Sequence, residues 1–294
     1  MRTTFTTTSS LASLFLVSLA FPACRRNDDE GSLESTEQAL VTDNADSQEG
    51  EDALEDGIEN GLGGATVADT GEAVEATDLA GVDAKIATNP GLYFSPAGCL
   101  VSTRLEAGKW SHAFTNCKGP AGKVTYTGTI ISTWAVAEGK LSVKHEANSF
   151  IAKGDRVTAT ISGAREVTYT RSGTLLTKTR KGSWGGTLTK NADATANVAW
   201  SHEASFVSTW DSASRCYTRD GSAENTVGTR EFGRTVSGFK ICGGIFACPS
   251  SGEFEVTRKN GAASITVTFL GGAEAEVTGA RGRTARVALF CSAQ

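Results

Sequence analysis

The chain predicts an all-β domain behind an acidic linker: a large antiparallel meander sheet that curls, closes or doubles into a sandwich. Three observations predict it. From Cys99 onward, apolar residues alternate with period two rather than 3.6. Glycine-bearing turn signals recur at short spacing. Residues 25–88 carry eighteen acidic side chains, three basic ones (Arg25, Arg26, Lys85) and no aromatic. That composition cannot bury enough apolar surface to offset chain entropy.

Residues 1–23 read as a signal peptide. Arg2 is a thin positive start, and Leu11 to Phe21 is an apolar run of eleven residues, too short to span a bilayer. It ends in Phe21-Pro22-Ala23-Cys24. A small residue before a thiol is the arrangement cut by lipoprotein signal peptidase, which makes Cys24 the expected lipidation site. Cleavage after Ala20 by ordinary secretion is the alternative, and it would leave Cys24 as an odd free thiol. A diacylated cysteine supplies enough buried methylenes for stable anchoring.

Residues 24–88 then read as a disordered acidic tether of net charge −15 over 25–88. As a flexible chain it would reach on the order of 45 Å, and further under self-repulsion. Residues 89–294 form the expected disulfide-bonded β domain. They hold 24 basic and 15 acidic residues, so a domain of about +9 sits inside a chain whose net charge is −5.

Within that domain the strand pattern is explicit. Arg156-Val157-Thr158-Ala159-Thr160-Ile161 and Ser264-Ile265-Thr266-Val267-Thr268-Phe269 alternate apolar and hydroxyl side chains, as half-buried antiparallel strands require. Turn signals fall at Glu138-Gly139, Ser172-Gly173, Asp220-Gly221, Asn260-Gly261 and Gly271-Gly272. Roughly a dozen strands follow, joined as a meander by short loops. Six cysteines behind a secretion signal read as three disulfides formed in an oxidising compartment. Neighbouring strands favour Cys99–Cys117, Cys216–Cys242 and Cys248–Cys291. No CxxC pair occurs, and Cys242 and Cys248 have no histidine nearby, so no metal site is expected.

Chemistry is sparse. The histidines His112, His145 and His202 are scattered, and in His145-Glu146 the two side chains point to opposite faces of a strand. Ser237-Gly238-Phe239-Lys240 matches SxxK, but in a β-patterned stretch without the companion motifs of serine acyltransferases. No catalytic set and no cofactor motif emerge. The candidate for surface contact is Trp184, flanked by Arg180 and Lys181 and followed by Gly185-Gly186. On a loop, its ring would stack on a sugar or support an anionic polymer. The basic residues are dispersed, so no specific nucleic-acid partner is expected.

Gly98-Cys99-Leu100-Val101-Ser102, Phe114-Thr115-Asn116-Cys117-Lys118-Gly119-Pro120 and Val287-Ala288-Leu289-Phe290-Cys291, behind a lipobox and an acidic spacer, carry a resemblance. The layout resembles β-rich lipoproteins of soil-dwelling gliding (myxobacterial-type) Gram-negative bacteria. The resemblance implies location and fold but no activity.

Two functions follow as expectations. One is a lipid-anchored envelope or surface protein, membrane-held through Cys24, with a structural or adhesive contact to polysaccharide or another anionic polymer. The outer membrane is the expected site, since Arg25 is not the aspartate that favours inner-membrane retention in enteric bacteria. The other is a hydrolase of extracellular polymers using carboxylates such as Glu203, Asp211 and Glu253, which would need to lie about 5–10 Å apart. The non-enzymatic reading is favoured because no convergent set is visible.

Overall fold

The computed structural model describes residues 34–55, 58, 62, 79–88, 94–119, 122–137, 139–243, 247–289 and 291. The signal segment and Cys24 lie outside these residues. Two helices, α1 (Ser35–Leu54) and α2 (Leu79–Thr88), precede thirteen strands. These are β1 (Leu100–Glu106), β2 (Lys109–Lys118), β3 (Thr125–Ala137), β4 (Lys140–Lys153), β5 (Val157–Ser172), β6 (Leu175–Lys190) and β7 (Asp193–Asp211). They continue as β8 (Cys216–Val227), β9 (Arg230–Cys242), β10 (Pro249–Arg258), β11 (Ser264–Phe269), β12 (Glu274–Gly279) and β13 (Thr284–Ala288).

Each strand pairs with the next in sequence, giving one meander sheet from β1 to β13. All pairings are antiparallel. The sheet curls around an interior without closing, as a strongly twisted sheet of this width must curl or split. Gly186 and Gly221, both at positive φ inside strands, mark sharp bends. A Cβ at either would run into a neighbouring carbonyl, that of Thr160 or of Ser205, so only glycine permits this approach.

The alternation read from the sequence sorts side chains onto two faces. On β5, Val157, Ala159, Ile161, Val167 and Tyr169 are buried on the concave side. The other face is hydroxyl-rich. Across β5 and β6, Thr158 faces Thr189, Thr160 faces Thr187, Thr168 faces Thr179 and Thr170 faces Thr177. Inward side chains form three apolar clusters, one centred on Phe114, Tyr126 and Phe150, one on Phe239, Phe254 and Phe269, and one on Trp110, Trp134 and Val143. The cysteines join as Cys99–Cys117, Cys216–Cys242 and Cys248–Cys291. Cys216 and Cys242 are direct cross-strand partners on β8 and β9.

The segment expected to be a structureless tether differs in its described residues, because both helices lie within it. Propensity does not explain α1, which carries Thr42, Asp43, Asn44, Asp46, Ser47 and Gly50. Tertiary partners do. Glu37, Leu40, Asn44, Ser47 and Glu51 are buried at helical spacing, and Asp43, Ala45, Asp46 and Gln48 are buried too, so the middle of the helix is enclosed on every side. At its start, Glu37 reaches back to accept a hydrogen bond from the Glu34 amide at 2.8 Å, one half of a capping box. The helix contacts β4, β5, β7, β8, β10 and β11, so it occupies the lumen of the curled sheet.

The shorter α2 closes the opposite end. Val82 and Ile86 pack with Trp110, Trp134 and Leu141. Asp83 accepts from the Trp110 indole N–H at 2.7 Å and the Gly108 amide at 3.2 Å, and pairs with Arg104 at 2.7 Å. One buried carboxylate thereby satisfies two donors of the β1–β2 turn.

Candidate functional site

The charged interior of the sheet is the most distinctive site in the molecule. Helix α1 climbs it from one end, and its carboxylates meet cations in succession. At the entrance, Glu34 pairs with Arg281 at 2.7 Å, and Glu37 accepts from the Ala280 amide at 2.9 Å. Nearly two turns on, Asp43 lies between Arg258 at 2.7 Å and Arg230 at 2.9 Å. Asp46 then pairs with Arg156 at 2.7 Å and Lys190 at 3.4 Å. These four cations sit beside hairpin turns, where long side chains bend inward to the helix; Arg230, Arg156 and Lys190 stay half-exposed, while Arg258 is largely buried.

Deeper in, the partners are wholly buried. Asn225 Oδ1 accepts from Ser47 Oγ at 2.7 Å and from His202 Nδ1 at 2.7 Å, while the Trp200 indole donates to Ser47 Oγ at 3.0 Å. A carbonyl oxygen only accepts, so His202 carries its proton on Nδ1. Burial, the largest influence, pushes the His202 pKa down to about 4, with the Arg165 guanidinium acting the same way. The ring is therefore neutral near pH 7.

Above it, Glu51 is hydrogen-bonded to Arg234, and to Arg180 at 3.0 Å, with Arg219 at 3.7 Å. Burial alone would raise the Glu51 pKa, but the Arg234, Arg180 and Arg219 guanidinium groups outweigh it and hold the carboxyl well below 4.5. Glu55, next after α1, pairs with Arg180 and lies 3.7 Å from Arg219. The three guanidinium groups also ring one aromatic face. Their Cζ atoms lie 4.4 Å (Arg219), 5.0 Å (Arg180) and 5.4 Å (Arg234) from the Phe206 centroid, within cation–π range.

Three guanidinium groups meet two carboxylates here, so the cluster is ion-paired with cations in excess, and it is not an acid–base pair. Glu51 is locked by charge in its ionised form, and His202 by burial in its neutral form. Neither is poised to exchange a proton near neutral pH.

The sequence-derived candidates fall elsewhere. Trp184 is not on a loop. It stands in mid-β6 on the concave face, 2 % exposed, with the Arg165 Cζ 6.0 Å from its ring. Arg180 shares that face at 3 % exposure, and its cation is used on Glu51 and Glu55. Of the proposed trio only Lys181 points outward, opposite Glu166 on β5. Gly185-Gly186 misled because these glycines serve a strand bend, not a turn.

Glu203 faces Glu224 on the outer side of β7 and β8, and Asp211 lies at the far end of β7. Glu253 sits three strands away on β10. At about 4.8 Å per strand and 3.3 Å per residue, no two of these three approach glycosidase spacing. Hydrogen bonds from Ser214, Thr174 and the Ala213 amide hold the Asp211 pKa down to about 2.

The three histidines are interior and hydrogen-bonded, His112 to Ser102, His145 to Ser132 and His202 to Asn225. Among the described residues no group of three metal-ligating side chains converges. A surface cleft of about 420 Å³ beside the helix entrance is lined by Thr36, Ala39, Arg230, Arg258 and Lys259, among others. Its cations are paired with Asp43, Glu224 and Glu231. No helix among the described residues is long and apolar enough to cross a membrane.

The residues missed from sequence are Glu51, Arg219 and Arg234. A signal for the arginines existed. Arg165, Arg180 and Arg234 fall on the same parity as Ile161, Trp184 and Phe232, a charge on the core face that requires a buried partner.

Compared with protein families, curated proteins and solved structures, the chain matches none.

Proposed function

We propose that this is a lipid-anchored cell-envelope protein, held at the outer membrane through Cys24, whose β domain has a structural or adhesive role toward polysaccharide or another anionic polymer. The anchoring rests on the Ala23-Cys24 junction behind an apolar leader. Three disulfides point to an oxidising, extracytoplasmic compartment. The layout similar to β-rich lipoproteins of gliding bacteria favours the same location.

The observation that carries the role is the division of the sheet's two faces. Arg180, Arg219 and Arg234 in the lumen are paired with Glu51, and Trp184 is buried against Arg165, so recognition falls to the outer face. That face presents cross-strand threonine rows on β5 and β6, with Lys181 opposite Glu166 and Lys144 ion-paired to Glu146 at 2.7 Å. Hydroxyl rows can hydrogen-bond sugar hydroxyls, and exposed lysines add attraction for acidic groups.

The test is sedimentation of the mature protein with an acidic polysaccharide over a salt series, alongside palmitate labelling of wild type and Cys24→Ala. Binding should weaken as salt shortens the Debye length below ~10 Å. Lys144→Ala with Lys181→Ala should weaken it further, and label should appear only in the wild type. Absence of label in both would contradict the anchor, and absence of binding at low salt would contradict the polymer contact.

A further inference from the structure

Docking of α1 in the lumen fixes which end of the β domain the anchor can approach. The helix enters beside the β12–β13 turn, where Glu34 meets Arg281 and Arg283. It then passes the cations beside the β8–β9, β10–β11, β4–β5 and β6–β7 turns. All these turns, with the β2–β3 turn, lie at one end of the sheet, because successive hairpins of a meander alternate between ends. Nine residues separate Cys24 from Glu34, ten Cα-to-Cα steps that at most span roughly 35 Å when fully extended. β5 and β6 have 16 residues each. At ~3.3 Å per residue and a tilt near 40°, the two ends are about 40 Å apart.

We infer that the end bearing the β2–β3, β4–β5 and β12–β13 turns faces the lipid leaflet that holds the anchor, as a surface for its anionic headgroups. The inference rests on lipidation of Cys24 and adds an orientation to it. Where the described chain begins is the first support, since only a straight run up the outside would bring the opposite end to the bilayer. Charge is the second. Lys118, Lys123 and Lys153 are exposed at this end beside the exposed carboxylates Asp155 and Asp193, and no carboxylate among the described residues is in salt-bridge contact with the three lysines. The headgroup phosphates are their complement.

The experiment uses the lipidated full-length protein in vesicles containing anionic lipid. A donor dye is attached at Lys123→Cys on the β2–β3 turn, or at Ala213→Cys on the opposite β7–β8 turn, with an acceptor dye in the lipid. Flotation with the vesicles is scored first. Efficient energy transfer is expected from position 123, with a clear loss at position 213. Inserting a long Gly/Ser stretch between residues 33 and 34 should lower transfer at 123. Flotation with equal transfer at both positions, or with their order reversed, would overturn the orientation while leaving the anchor intact. Failure to float would overturn the anchor and the orientation together.

Discussion

Glu51 sits among groups that would each be costly alone. Arg180, Arg219 and Arg234 are buried cations, and Glu51 is a buried anion. Removing one partner of such a set leaves uncompensated charge in a low-dielectric interior, which typically costs about 3–5 kcal/mol. Glu51→Gln should therefore lower the urea unfolding free energy by that order. Lys259→Ala, whose exposed side chain pairs with Glu224 and Glu231, should leave it nearly unchanged, since water screens exposed pairs. Equal effects would mean that the lumen charges are hydrated.

The same residues set an acid limit. Burial pushes the His112 and His202 pKa values from 6.5 to about 4. Between those values the unfolded chain takes up protons that the folded rings refuse, so stability falls as pH drops from about 6.5 toward 4. Glu51 adds to this lower down. Its depressed pKa gives stability that is present above about 4.5 and lost as pH falls through the folded value. Urea midpoints followed down this range should fall continuously. A flat midpoint between pH 6.5 and 4 would contradict buried neutral rings.

At the scale of elements, the strands were legible because their alternation is apolar against hydroxyl, as on β5 and β11, and register follows from which face is buried. Disulfide pairing between neighbouring strands was legible for the same reason. Helix α1 was not, because hydrophobic periodicity is the usual sign of a helix and its buried residues are mostly polar. Read for carboxylates and amides, Glu37, Asn44, Ser47 and Glu51 do have helical spacing. That pattern means little until the arginines on the concave face supply a reason to bury it. Trp184 was misplaced because Gly185-Gly186 has the composition of a turn. The structure uses it where the sheet bends. Helix α2 offers a test at this scale. Asp83→Ala would leave the Trp110 indole and the Gly108 amide without their acceptor, at a cost of about 1–3 kcal/mol each for fully buried donors. Thermal denaturation should show a clear drop in Tm, while Asp83→Asn, which keeps an acceptor, should recover part of it. No drop would mean that water replaces the carboxylate.

For the whole molecule, the opposite charges of the two halves of the chain are used on each other. Residues 25–88 carry −15 and the domain about +9, and the contacts between them run through the interior. Removing the acidic segment would thus not uncover an intact basic globule. It would strip partners from Arg180, Arg219 and Arg234 and leave an empty lumen. Helix α1 and the sheet pack as one unit, and the sheet curls around α1 as well as around its own apolar clusters. Amide hydrogen exchange along Ser35–Leu54 in the mature protein tests this most directly. A helix buried in the lumen predicts strong protection from Leu40 to Glu51, of the same order as in β5 and β6, lost only on global unfolding. Exchange there at the rate of an unstructured peptide, beside protected strands, would show that the acidic segment is a free tether and contradict the account.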